Sequence, residues 1–199
     1  DGGATAGCDN IALVAPEVTG FETLNIRNIA TSTAAADIIT VNANNFSGLT
    51  AFNARVSTGA LSVSNLASGA TVGVVGNEVV TNGAVTAAYV AAATAGVLNV
   101  SGGTTGGAIA VNGAGLTTLT INSTGAANTV GALSTTGTPT TTTINAAKAF
   151  TTTGLTVGTN ATADQALVIS GAATNVAASA TAAATAAVVL GALDADLDS

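Results

Sequence analysis

The chain has 199 residues, of which 48% are apolar and 7% charged, with a formal net charge of −7 and no His, Met or Trp. Acid–base and nucleophilic chemistry need convergent titratable groups, His above all, so this composition argues against an enzyme. The only basic residues, Arg27, Arg55 and Lys148, are too few to neutralise a nucleic-acid backbone, and an acidic surface does not suit an anionic membrane.

The apolar residues are mostly small, since aromatics make up 3% of the chain, as four Phe and one Tyr. Large side chains stabilise a globular core by about 1.5–3 kcal/mol each. A chain of Ala, Thr, Gly and Asn does better as stacked coils, each burying its inner face on the next. Its single cysteine, Cys8, excludes an intramolecular disulfide. Isolated carboxylates make divalent cations natural partners. No basic stretch followed by an apolar run opens the chain, so an exported protein would have lost its leader or would carry its signal elsewhere.

In chain order, residues 1–16 read as a polar, Gly-rich segment. From 17 to 170 short apolar–x–apolar triplets recur: Leu24-Asn25-Ile26, Ile39-Thr40-Val41, Leu61-Ser62-Val63, Val72-Gly73-Val74, Leu98-Asn99-Val100, Ile109-Ala110-Val111, Leu119-Thr120-Ile121, Leu155-Thr156-Val157 and Leu167-Val168-Ile169. Such alternation is the signature of a strand with one face in and one face out, and its Val, Ile and Thr favour a pleated surface. Turn residues separate the triplets, as at Asn82-Gly83 and Asn112-Gly113. A longer unit (Gly, large apolar, two residues, large apolar, Asn or Thr) appears at Gly20 to Asn25, Gly48 to Asn53 and Gly115 to Thr120. Its irregular spacing predicts an all-β fold, a parallel β-helix (β-solenoid), whose turns tolerate insertions; a β-sandwich is the rival. Val85 to Val100 is Ala-rich and ambiguous, and Pro139 marks a turn or an edge. Residues 171–199 form an Ala-rich C-terminal segment with an acidic tail, and within it Ala172 to Leu193 is open between helix and strand. Its uncharged stretch from Asn175 is too rich in Ala, Thr and Ser to insert into a membrane.

The stretch Val18-Thr19-Gly20-Phe21-Glu22-Thr23-Leu24-Asn25-Ile26 resembles the glycine–glutamate–threonine–leucine–asparagine–valine strands of bacterial surface-layer proteins, the β-strand-repeat type exported by type I systems. Gly115 to Ile121 and Ala147 to Val157 look similar. The resemblance implies a long β-solenoid at the bacterial cell surface, with calcium ions locking coils and lattice contacts. One departure stands out. The calcium nonapeptide of such proteins runs Gly-Gly-x-Gly-x-Asp, and Gly102-Gly103-Thr104-Thr105-Gly106-Gly107 lacks the Asp.

Asp194, Asp196 and Asp198 alternate near the end of the sequence. On an extended segment they share one face, either as a solvated acidic terminus or, with ligands from outside the chain, as a calcium site. Asp1, Asp9 and Glu17 read as a solvated acidic head, and Cys8 as a passive thiol without a base. Arg27, Arg55 and Lys148 are expected to pair with Glu22, Asp37 or a neighbouring subunit. Thr117-Thr118-Leu119-Thr120 and Thr151-Thr152-Thr153 are either exposed β-formers or flat threonine ranks like those of ice-binding solenoids. The Gly-rich pieces lack the Lys-Ser/Thr ending of a phosphate loop.

The resulting expectation is a non-enzymatic structural subunit of an extracellular assembly, a surface layer or filament. Its partners would be copies of itself and a cell-surface polysaccharide. The alternative is an adhesin or ice-binding module.

Overall fold

The computed structural model describes residues 18–31, 37–158, 165–171, 175–177, 187–193 and 197–198. In chain order the strands are β1 (Val18–Thr19), β2 (Thr23–Ile26), β3 (Ile39–Asn42), β4 (Phe46–Ser47), β5 (Ala51–Arg55), β6 (Leu61–Leu66) and β7 (Thr71–Val75). They continue as β8 (Thr81–Asn82), β9 (Val85–Tyr89), β10 (Ala95–Ser101), β11 (Thr105–Gly106), β12 (Ile109–Asn112), β13 (Thr118–Thr124) and β14 (Asn128–Ser134). The last are β15 (Thr141–Ala146), β16 (Phe150–Thr156), β17 (Gln165–Ser170), β18 (Asn175–Ala177), β19 (Ala187–Leu193) and β20 (Leu197–Asp198).

Two eight-stranded sheets run the length of the stack. The first has the order β2-β5-β7-β10-β13-β15-β17-β20, and the second β3-β6-β9-β12-β14-β16-β19-β18. The pairing is parallel throughout the described residues, so the fold is a β-solenoid and not the rival sandwich of antiparallel strands. Two short two-stranded sheets, β1 with β4 and β8 with β11, add a further side at the turns. Equivalent positions lie 28 residues apart in the first coil, 23 in each of two later ones and 25 in the next.

The triplets explain the packing. Leu24, Phe52, Val72, Leu98, Ile121, Ile144 and Ile169 form one inward column of the first sheet. Ile39, Leu61, Val85, Ile109, Leu133, Leu155 and Leu193 are in register along the second. Buried residues of both sheets meet in a single apolar core. Two copies of the longer unit are in register, and their first residues, Gly20 and Gly48, have φ of 76° and 91°, a conformation only glycine adopts without strain. The third copy is offset. Ile121, not Leu119, aligns with Leu98, and Gly115 makes no left-handed turn but packs against Ala91 O and Ala93 O.

The helix left open for Ala172 to Leu193 is corrected by the structure. Asn175–Ala177 and Ala187–Leu193 are strands, and β19 is in register with β16, while residues 178–186 lie outside the described residues. The parallel ladder of β16 and the β-branched pair Val188-Val189 outweigh the helix propensity of alanine. The ambiguous stretch around Tyr89 is likewise two strands, β9 and β10. Pro139 sits buried in the turn before β15, where its carbonyl accepts from Gln165 Nε2 at 3.0 Å.

The chain's one tyrosine gives the fold an alkaline weak point. The Tyr89 hydroxyl donates to Ala70 O and accepts from the Val97 N–H at 3.1 Å. Burial raises the pKa of the phenol above its ordinary 10.0, and the bond to Val97 pulls it the other way. A raised folded pKa means stability that is complete below about pH 10 and is lost as pH rises beyond it. Denaturant titrations should show a steeper alkaline loss for the native chain than for Tyr89→Phe. The variant itself should lose about 1–2 kcal/mol at neutral pH, because Ala70 O and Val97 N–H are left without their partner.

Candidate interaction faces

The outward faces carry the polar chemistry. On the first sheet the column Asn25, Asn53, Gly73, Asn99, Asn122, Asn145 and Ser170 is in register from coil to coil. Asn53 Nδ2 donates to Asn25 Oδ1 at 3.0 Å, Asn122 Nδ2 to Asn99 Oδ1 at 2.7 Å, and Asn145 Nδ2 to Asn122 Oδ1 at 2.9 Å. The Ser170 hydroxyl ends the run on Asn145 Oδ1 at 2.7 Å. Parallel strands about 4.8 Å apart put identical amides at the right distance for such ladders. The signal for them is in the sequence, as an Asn directly after the inward apolar residue in Leu24-Asn25, Phe52-Asn53, Leu98-Asn99, Ile121-Asn122 and Ile144-Asn145. Reading Asn only as a turn residue hides it.

Gly73 splits the ladder in two. A side chain there would overlap Asn53 Oδ1, and the three atoms nearest to it all belong to the Asn53 side chain, whose end can move. Gly73→Asn should therefore push Asn53 back towards Asn25 and join the two runs. The expected gain is about 1–2 kcal/mol, from restored amide bonds and the loss of a flexible glycine. A lower melting midpoint in the variant would refute the ladder as a stabilising element.

Inside the turns a second set of amides is buried. Asn28 Nδ2 donates to Asp37 O and Ala60 O, each at 2.8 Å. Asn128 is 1% exposed. Its Oδ1 accepts the N–H groups of Gly103 and Thr104, and its Nδ2 faces Ser123 Oγ, Thr124 O and Ala126 O at 2.8–3.0 Å. These side chains satisfy backbone groups that a sharp turn would leave without partners.

The threonine runs divide. Thr118 and Thr120 point outward in register with Thr141 and Thr143, giving a two-coil rank. In Thr151-Thr152-Thr153 the middle residue points inward, where its hydroxyl bonds Gly131 O and Gly154 O, and Thr151 faces outward in register with Thr129 of the neighbouring coil. Gly102, Gly103, Gly106 and Gly107 make left-handed turns at the corners around β11.

Of the sequence-predicted ligands, Asp194 and Asp196 lie outside the described residues, and Asp198 lies on β20, whose register pairs it with Ala166. Asp1, Asp9, Glu17 and Cys8 also lie outside them. Among the described residues no three His, Cys, Asp or Glu come together as a metal site. The expected ion pairs to Glu22 and Asp37 do not form among the described residues: Arg27 bonds the Val56 carbonyl through Nε at 3.3 Å, and Arg55 and Lys148 have no side-chain partner. Asp37 is buried, with one carboxylate oxygen unpartnered.

No family model matches this chain, and neither does a curated protein or a solved structure.

Proposed function

We propose that the chain is a non-enzymatic structural subunit of an extracellular assembly, a surface layer or filament, that associates through the faces or ends of its solenoid. The observation that carries this reading is the outer face of the second sheet. Thr40, Ser62, Thr86, Ala110, Ser134 and Thr156 stand in one column there. Two residues before five of them, on the same face, come Ala60, Ala84, Ala108, Ala132 and Gly154. Neither column holds a charge or a side chain longer than threonine, so another such face can approach closely with little desolvation cost. The net charge of −7 opposes that approach, and calcium on Asp194, Asp196 and Asp198 would relieve it. The surface location and the calcium partner rest on the resemblance to surface-layer strands and on those carboxylates.

Electron microscopy of the purified protein with and without calcium tests the reading. Sheets or filaments that need calcium, and lose that need in the triple variant Asp194→Asn, Asp196→Asn, Asp198→Asn, are the expected result. Single particles only, at high protein and calcium concentration, would reject it. The alternative, an adhesin or ice-binding module, draws on the rank of Thr118 and Thr120 against Thr141 and Thr143. Thermal hysteresis abolished by Thr120→Leu with Thr143→Leu would favour ice binding over assembly.

A further inference from the structure

Two of the chain's three basic side chains lie side by side. Ile26 pairs with Ala54 across β2 and β5, so Arg27 and Arg55 follow at the same level of adjacent coils. They line a groove of about 460 Å³ with Asn25, Ile26, Val56 and Asn77. Like charges on neighbouring strands repel, and no carboxylate in the described residues relieves them.

The groove's polar side chains are donors with their acceptors already engaged. Asn77 Oδ1 accepts from the N–H groups of Val79 and Val80 at 3.2 and 3.0 Å, which fixes the amide and leaves Nδ2 without a partner among the described residues. Asn25 Oδ1 accepts from Asn53 Nδ2 and its own Nδ2, the last of the ladder, is likewise unpartnered. Arg27 is held by Nε on Val56 O, leaving its terminal N–H groups available.

Val56 supplies an independent pointer to this corner. Its φ is 47°, at the position where later coils carry Gly102 and Gly125 with φ of 70° and 76°. A β-branched residue in the left-handed region is strained, and such strain gathers at binding sites. Here the strained residue's carbonyl is the one that anchors Arg27.

We propose that this groove binds an oxyanion, a carboxylate or phosphate group, between the Arg27 and Arg55 guanidinium groups. A planar guanidinium takes two oxygens of one anion in parallel bonds, and the amide nitrogens of Asn25 and Asn77 add neutral donors at the rim. Both arginines are exposed, so binding of a single anion is weak, in the millimolar range, and falls with salt. The site does not depend on self-assembly and can be read on the monomer.

The test follows the backbone amide signals of residues 25–27, 55, 56 and 77 and the side-chain amides of Asn25 and Asn77 by proton–nitrogen NMR at low salt, during titration with inorganic phosphate, galacturonate and a galacturonate oligomer. Saturable shifts of these signals are expected, and they are lost in the Arg27→Gln, Arg55→Gln variant, which keeps the same reporters. Arg27→Lys with Arg55→Lys keeps the charge without the fork and should bind about threefold to tenfold more weakly. Lys148→Gln removes a charge elsewhere and should leave the affinity unchanged. Tighter binding of the oligomer by about tenfold marks a polymer as the natural source, and equal affinities mark a free anion. Absence of saturable shifts, or a loss in Lys148→Gln equal to that in Arg55→Gln alone, would overturn the site.

Discussion

Asn128→Asp is expected to lose about 3–5 kcal/mol of folding stability at neutral pH, the cost of keeping a buried carboxyl protonated far above its ordinary pKa because its ionised form would face carbonyl oxygens. The change is isosteric and leaves Oδ1 on the Gly103 and Thr104 N–H groups. It replaces Nδ2, which faces the oxygens of Ser123, Thr124 and Ala126, with an oxygen that repels the two carbonyls among them. The introduced carboxyl is held neutral by this site, so its folded pKa rises above the unfolded value of about 3.9. The penalty is therefore absent below that pH and grows as pH rises. Asn128→Ala should lose about 2–3 kcal/mol with no such pH dependence. Denaturant melts of the two variants from acid to neutral pH make the comparison, and parallel curves would show that the amide does not hold the turn.

Phe150→Ala is expected to lose about 3–5 kcal/mol, and the loss should be local. Phe150 is fully buried, in register between Asn128 on β14 and Val188 on β19. Large buried side chains are scarce in this core, and only Phe52 matches it in size among the fully buried ones. In a stack where each coil touches its neighbours alone, a cavity weakens the flanking interfaces and leaves distant ones intact. Amide hydrogen exchange should quicken in β14, β16 and β19 and stay unchanged in β3 and β6. Uniform quickening over all strands would mean that the molecule unfolds as one cooperative unit.

The fold was legible because the triplets report it directly. In Ile39-Thr40-Val41 and Leu61-Ser62-Val63 the two apolar residues face the core and the middle one faces out, in register from strand to strand. Parallel stacking was inferable from composition, since many small residues gain more from repeated ladders than from one bulky centre. The candidate surfaces were less legible. Asn25, Asn53 and Asn122 have the same residue type as turn asparagines, and only coil spacing shows that they stack. Arg27 and Arg55 lie 28 positions apart, the length of one particular coil and not of the next, so their meeting depends on turn lengths that the sequence does not announce. The strand at Ala187–Leu193 was obscured for a further reason: alanine favours helix in isolation, and the open edge of β16 decides otherwise.

The equal spacing from Asn99 to Asn122 to Asn145 has an evolutionary corollary. A unit of this length can be duplicated or excised whole, and the flanking rungs will meet with their inner and outer residues still matched. Such a molecule changes its reach by copying a stretch of gene, with no new contact to invent.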